Sequence, residues 1–225
     1  MIAQQTDKQK QFPYDFEAKK EVLFYPSKPA EFRGDILEIG PGRGDLLLAM
    51  AEAQPDKKFV AVEIGKKRYF RLIPRIEKRG IKNIFLIRGD ARVIIPRYFG
   101  EETFEKIFVL FPDPWPKDRH AFRRLLTVEF FWLLGHHLKP EGELILATDV
   151  EWYAEWMTEN LRRVSVLKNR LDPQLFASEL PGITPTFFEE KWKNEGRKIY
   201  YLLYGKNSRH RRQVVPHSSF ISSAR

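Results

Sequence analysis

Residues 35–44 read DILEIGPGRG: an apolar run, Asp35 to Ile39, meets glycines spaced Gly40-x-Gly42-x-Gly44. A short continuous apolar run reads as a buried strand, and the glycines let the backbone turn tightly and approach a ligand. Helical periodicity follows from Asp45 to Gln54 and stops before Pro55. Working outward, Lys58 to Glu63 reads as a second strand, and Lys66 to Arg79 as a basic helix broken or kinked at Pro74. Ile84 to Arg88 and Lys106 to Phe111 are a third and a fourth strand. A long helix is predicted over Ala121 to Leu138, a fifth strand over Glu143 to Thr148 and a helix over Glu151 to Arg163. Two further strand-like runs, near Val164 to Leu167 and Lys198 to Tyr204, extend the sheet to seven strands. Strand–helix alternation with continuously apolar strands predicts an α/β fold, its mainly parallel sheet covered by helices on both faces. Residues 1–33 read as an N-terminal peripheral segment, 34–206 as the α/β domain and 207–225 as a basic tail, expected to be flexible.

The chain of 225 residues suits one α/β domain with appendages, and 43% hydrophobic residues suffice for a sizeable core. A formal net charge of +9 favours an anionic partner. The absence of cysteine excludes disulfide scaffolds, thiolate metal sites and cysteine nucleophiles. His136 and His137 are adjacent on a predicted helix and point apart, so they do not chelate one metal, and no metal is expected. No apolar run is long enough to span a membrane and the first residues carry no secretion signal, so a cytoplasmic location is expected. Nothing in the sequence implies a partner subunit.

Glu38 stands immediately before the glycines, whose GxGxG spacing is not the GxGxxG of dinucleotide enzymes. A carboxylate is unhelpful beside a pyrophosphate and suits an ammonium or sulfonium group. Glu63 ends the second strand, where an acid can accept both ribose hydroxyls, and Asp90 follows the third, within reach of an adenine. Each acid alone could be a helix cap, and each glycine a turn. Together, three carboxylates at consecutive strand ends converge on the crevice where open α/β sheets bind ligands. The set Glu38, Gly40, Gly42, Gly44, Glu63 and Asp90 points to S-adenosylmethionine.

After the fourth strand comes Phe111-Pro-Asp113-Pro-Trp115-Pro-Lys117-Asp-Arg119-His120-Ala-Phe-Arg123-Arg124. Three prolines within five residues stiffen the frame that presents Asp113 and Trp115. An acid, an aromatic and several cations make a pocket for a purine on a phosphate backbone; the plainer alternative is a rigid surface loop before a solvated helix.

EIGPGRG, VEI, GDA, PDPWPK, TDVEWYAEWM and the later TFFE with Gly196 downstream resemble the tRNA (guanine-N7-)-methyltransferases, over roughly Ile36 to Tyr204. That resemblance implies a Rossmann-like class I methyltransferase fold acting on a variable-loop guanosine of tRNA (position 46 in tRNA nomenclature). It also implies that Glu38, Glu63, Asp90 and Asp113 contact S-adenosylmethionine, while Lys117, Asp149 and the segment Thr186, Phe187, Phe188 and Glu189 face the guanosine. Asp118 interrupts the basic run usual after PDPWPK, and Arg209, His210, Arg211 and Arg212 add cations to the tail.

Guanine N7 offers a free lone pair, so no base need remove a proton before methyl transfer, and alignment carries most of the catalysis. Asp113 is expected to be catalytic as an orienter and charge stabiliser, because a carboxylate suits the N1–H and N2–H₂ edge of guanine. Lys117, Arg119, Arg123 and Arg124 are expected to grip phosphates. Trp132, Trp152 and Trp156 read as packing residues. Competing readings are an N6-adenine methyltransferase, whose Asp-Pro-Pro-aromatic loop this Asp-Pro-Trp-Pro run does not match, and a non-catalytic RNA-binding protein on the same fold. A nicotinamide dehydrogenase is disfavoured by the glycine spacing and Glu38.

Overall fold

The computed structural model describes residues 22–26, 34–183 and 186–207. The tail cations Arg209 to Arg212 lie outside them. In chain order, the first elements are β1 (Leu23–Tyr25), β2 (Ile36–Ile39), α1 (Asp45–Ala53), β3 (Phe59–Glu63) and α2 (Lys66–Lys78). Next come β4 (Ile84–Arg88), α3 (Ala91–Tyr98), β5 (Phe104–Leu110), a 3-10 helix (Asp118–Arg123) and α4 (Val128–His137). The chain continues through β6 (Leu138–Thr148), α5 (Glu151–Arg162), β7 (Leu167–Asn169), α6 (Phe187–Asn194) and β8 (Tyr200–Lys206).

The strands form one sheet in the order β1-β4-β3-β2-β5-β6-β8-β7. Strands β4, β3, β2, β5 and β6 run parallel, β8 runs antiparallel to β6, and β7 antiparallel to β8. The seven expected strands are all present. The eighth, β1, comes from the segment read as peripheral and pairs antiparallel with β4 at the sheet edge.

Alternate strand residues divide between two cores. Leu37, Ile39, Val60, Val62, Val109 and Leu146 pack under α3, α4 and α5. Ile36, Phe59, Ala61, Phe108 and Ala147 pack under α1 and α2. This alternation is why the strands read as continuously apolar: both faces are buried, so neither tolerates polar residues. Strand β2 is flanked by β3 and β5: the chain steps outward from β2 through β3 to β4 and then crosses back to β5 on the other side, a switch point that opens a crevice over the carboxyl end of β2.

Helices α3 and α6 go beyond the sequence reading, and two of the helices it gave depart from it. The single helix expected over Ala121 to Leu138 is a 3-10 helix and a separate α4, because Thr127 starts a new helix by accepting a hydrogen bond from the Phe130 N–H at 3.3 Å. Leu138 already belongs to β6, paired with Phe104. Helix α2, by contrast, continues past Pro74, its buried face held by Tyr69, Leu72 and Ile76.

Asn83 fastens the end of α1 to the sheet. Its side-chain amide lies 3.0 Å from the carbonyls of Ala51 and Gln54 and 2.9 Å from that of Lys57. Removing it leaves the Ala51 and Lys57 carbonyls short of this donor, while Gln54 keeps the Lys57 N–H at 3.1 Å. Asn83→Ala is expected to lower unfolding free energy by about 1–3 kcal/mol in urea titration, with the denaturant slope unchanged.

Candidate active site

The three loop glycines all take positive φ, 72°, 56° and 76° at Gly40, Gly42 and Gly44, a region that residues with a Cβ rarely adopt. They serve different ends. A Cβ on Gly44 would strike Leu72 of α2, so this glycine closes the packing of α1 on α2. A Cβ on Gly40 would meet nothing within 4 Å. Space above Gly40 is open, as a ligand cradle requires.

Beneath the loop, Glu38 is buried, with one carboxylate oxygen lacking any hydrogen-bond partner. Burial, and then the negative charges of Asp45 and Glu63, push its pKa up to about 8. Glu63 is also buried, but its oxygens are occupied: one accepts from the Gly65 N–H at 2.6 Å, the other from the Gly42 N–H at 3.3 Å. Arg68 approaches Glu63 to 3.6 Å. Asp90 caps α3 through the Arg92 N–H at 2.9 Å and holds the Arg92 guanidinium with both oxygens, the shortest contact being 2.6 Å. The capping role that its position allowed is therefore real, alongside any part in binding.

An orphaned, buried carboxylate oxygen at the foot of an open glycine turn is what a cationic ligand group satisfies. Glu63 keeps lone pairs beyond its two amide bonds for hydroxyl donors. The residues present fit S-adenosylmethionine.

Asp113 is exposed beyond the carboxyl end of β5, the strand beside β2, and so stands at the same sheet edge as Glu38 and Glu63. The loop bearing it is fixed by more than prolines. Phe111 and Trp115 hold φ of 51° and 46°, each strained by about 1 kcal/mol or more. Arg124 opposes that strain. Its guanidinium donates to the Pro114 carbonyl at 3.1 Å and to that of Trp115 at 3.0 Å, and lies over the rings of Trp152 and Trp156. Arg124, expected to grip a phosphate, is thus turned inward as the buttress of the loop. Lys117 and Arg119 remain exposed, and Arg123 lies 4.8 Å over the Trp115 ring.

Asp149 follows β6 and pairs with Arg197 at 2.7 Å, while Arg197 stacks 3.9 Å over Trp192. Thr186 caps α6 by accepting from the Glu189 N–H at 3.1 Å. Glu189 is buried, receives the Tyr201 hydroxyl at 2.6 Å and pairs with Lys193 at 2.7 Å. Phe187 and Phe188 are the exposed members of this segment, and they lie against the glycine loop: Arg43 sits 3.9 Å over the Phe187 ring, and a Cβ on Gly42 would reach Phe188 at 4.0 Å. The structure therefore gathers Glu38, Gly40, Gly42, Glu63, Asp113, Phe187 and Phe188 around one crevice. Arg43, Arg124 and Arg197 were missed in these roles because each pairs with residues distant in sequence, and no local spacing announces them.

Glu38 binds its proton more tightly folded than unfolded. The stability it allows is full below the ordinary carboxylate range and is lost as pH rises towards 8. Glu38→Gln should gain thermal stability over the parent as pH goes from 5 to 9, while S-adenosylmethionine affinity falls by about ten-fold or more; calorimetry in both modes reads this, and unchanged affinity would refute the role given to Glu38. Lysine cannot reproduce a planar fork. Arg124→Lys should cost about 1–2 kcal/mol of stability and lower kcat with little effect on cofactor affinity, as followed by thermal melts and single-turnover kinetics.

A family model described as "Putative methyltransferase" matches residues 33–202. The chain is 41% identical over 174 residues to the tRNA (guanine-N(7)-)-methyltransferase of Nitrosomonas europaea, covering 77% of this chain and 76% of that one. It is 31% identical to the enzyme of the same name from Syntrophotalea carbinolica, over 85% of this chain and 84% of that one. Among solved structures, the 16S rRNA methyltransferase KamB superposes with a TM-score of 0.59 at 14% identity, over 79% of this chain and 89% of that one. A SAM-dependent methyltransferase from Aquifex aeolicus superposes at 0.52 with 14% identity, over 80% and 85%. These two share the fold. With the glycine loop, the strand-end acids and the PDPWPK loop all at one sheet edge, and with relatives this similar over most of their length, the chain belongs to the tRNA (guanine-N7-)-methyltransferase family.

Proposed function

We propose that this chain transfers the methyl group of S-adenosylmethionine to N7 of a guanosine in tRNA, and that this guanosine is the variable-loop residue, position 46. The observation that carries the reading is the pairing of an orphaned buried Glu38 under an open glycine turn with a rigid loop presenting Asp113 over the same crevice.

When bound, S-adenosylmethionine supplies an electrophilic methyl on a sulfonium. Glu38 faces its cationic portion, Gly40 and Gly42 give the backbone room, and Glu63 and Asp90 serve the ribose and the adenine. Asp113 accepts from the N1–H and N2–H₂ edge of guanine, turning N7 towards the methyl group and stabilising the positive charge the ring gains. No proton need leave N7, so no group in the crevice has to act as a base. Phe187 and Phe188 offer faces for the base or its neighbour. Thr186 and Glu189 act through them by capping and anchoring α6, and Asp149 with Arg197 steadies the same helix from the other side. Lys117 meets phosphate.

Transfer of labelled methyl to unmodified tRNA, followed by nucleoside analysis, should yield 7-methylguanosine, and a transcript carrying adenosine at the variable-loop position should yield none. In Asp113→Ala, kcat/KM should fall by about 10²–10³-fold. Near-normal turnover in a variant that still binds cofactor would remove Asp113 from the chemistry.

A further inference from the structure

The sequence crowds cations onto α2 without indicating which of them share a face. Arg68, Arg71 and Arg75, at helical spacing i, i+3 and i+7, turn to one side and, with Gly42, Arg43 and Phe188, line a groove of about 510 Å³ beside the glycine loop. Leu72 forms its apolar floor. Among the described residues, no acid lines this groove. Asp45 and Glu63 lie behind it, Asp45 holding Arg75 at 3.0 Å and Arg43 at 3.5 Å, and Glu63 facing Arg68 at 3.6 Å. Among the described residues, two carboxylates thus answer four guanidiniums, and Arg71 makes none of these pairs. A larger groove, of about 770 Å³ along α5, sets Asp118, Glu155 and Glu159 against Arg124 and Arg162, a net acidic lining that suits a polyanion less well.

The second feature is Phe188, half-exposed at the mouth of the same groove. Guanidiniums beside an exposed aromatic face match a sugar-phosphate strand with an unstacked base.

We propose that the groove between α2 and the glycine loop is a phosphate track for the RNA strand flanking the target guanosine, with Arg68 and Arg71 on successive phosphates and Phe188 stacking an adjacent base. This rests on the reading of the chain as a tRNA methyltransferase and adds the path by which the strand reaches the crevice. Arg43 and Arg75 are tied to Asp45, and Arg75 also donates to the Arg43 carbonyl, so they fix the wall of the track.

The test is tRNA binding by the full chain at several salt concentrations, with S-adenosylmethionine affinity and nucleoside analysis measured in parallel. Arg71→Ala should raise the tRNA Kd several-fold and reduce the slope of log K against log salt by about one. Adding Arg68→Ala should reduce it again, and Arg71→Lys should restore most of the slope. Arg97→Ala, on α3 across the sheet, should change neither. Cofactor affinity should be unaffected by Arg71→Ala. An unaltered tRNA Kd and slope in the double variant would overturn the track, as would a loss of cofactor affinity with tRNA binding intact, which would assign the groove to the cofactor. Parent protein that makes no 7-methylguanosine would instead strike the functional reading itself.

Discussion

The carboxylate of Glu63 fastens three pieces of chain at the site, beside the β2–β3 pairing and the packing of Gly44 on Leu72. It ends β3, holds the Gly65 amide that opens α2, and reaches back to the Gly42 amide in the loop after β2. Buried ionised groups are tolerated only where such partners surround them. Glu63 helps to set the glycine turn against α2 and holds Arg68 beside the groove between them, together with Arg75, which reaches Asp45 and the Arg43 carbonyl. With β2 held between parallel neighbours on both sides, the crevice above its carboxyl end has a fixed floor and a fixed wall.

Several costs to stability fall at that same edge. Glu38 keeps an unsatisfied oxygen in the interior, Phe111 and Trp115 sit in a backbone region that suits glycine, and Phe187 and Phe188 leave apolar rings in water. Beneath it the strands alternate into two apolar cores, and Glu102 and Glu141 take positive φ at the opposite end of the sheet. Strain and unpaired groups at a binding site persist when the surrounding structure over-determines them. Here the surroundings are specific: Arg124 under the proline loop, and Tyr201 with Lys193 around Glu189.

Arginine does several jobs in this molecule, and the surplus of positive charge alone separates none of them. Arg124 clamps carbonyls, Arg197 bridges Asp149 to Trp192, Arg92 neutralises the cap of α3, and Arg43 stacks on Phe187. A planar fork with an apolar face suits each of these, where lysine would not. The arginines that instead line an open groove are a subset chosen by geometry, on the face of α2 that meets the glycine loop.

The sequence by itself determined the parallel α/β sheet, because strands buried on both faces must be continuously apolar, and it determined the cofactor edge, because glycines and acids fall at the ends of successive strands. PDPWPK and TFFE carried the family, since their spacing is local. It did not reveal that Ala121 to Leu138 divides into two elements, which depends on Thr127 capping a new helix and on Arg124 being drawn to a loop ten residues earlier. Nor did it separate the anchoring members of Thr186–Glu189 from the exposed ones. That distinction depends on Tyr201, from a strand beyond the next turn, reaching Glu189. Local patterns set which elements form. Only the packing of distant elements decided which polar groups those elements consume and which they leave for a ligand.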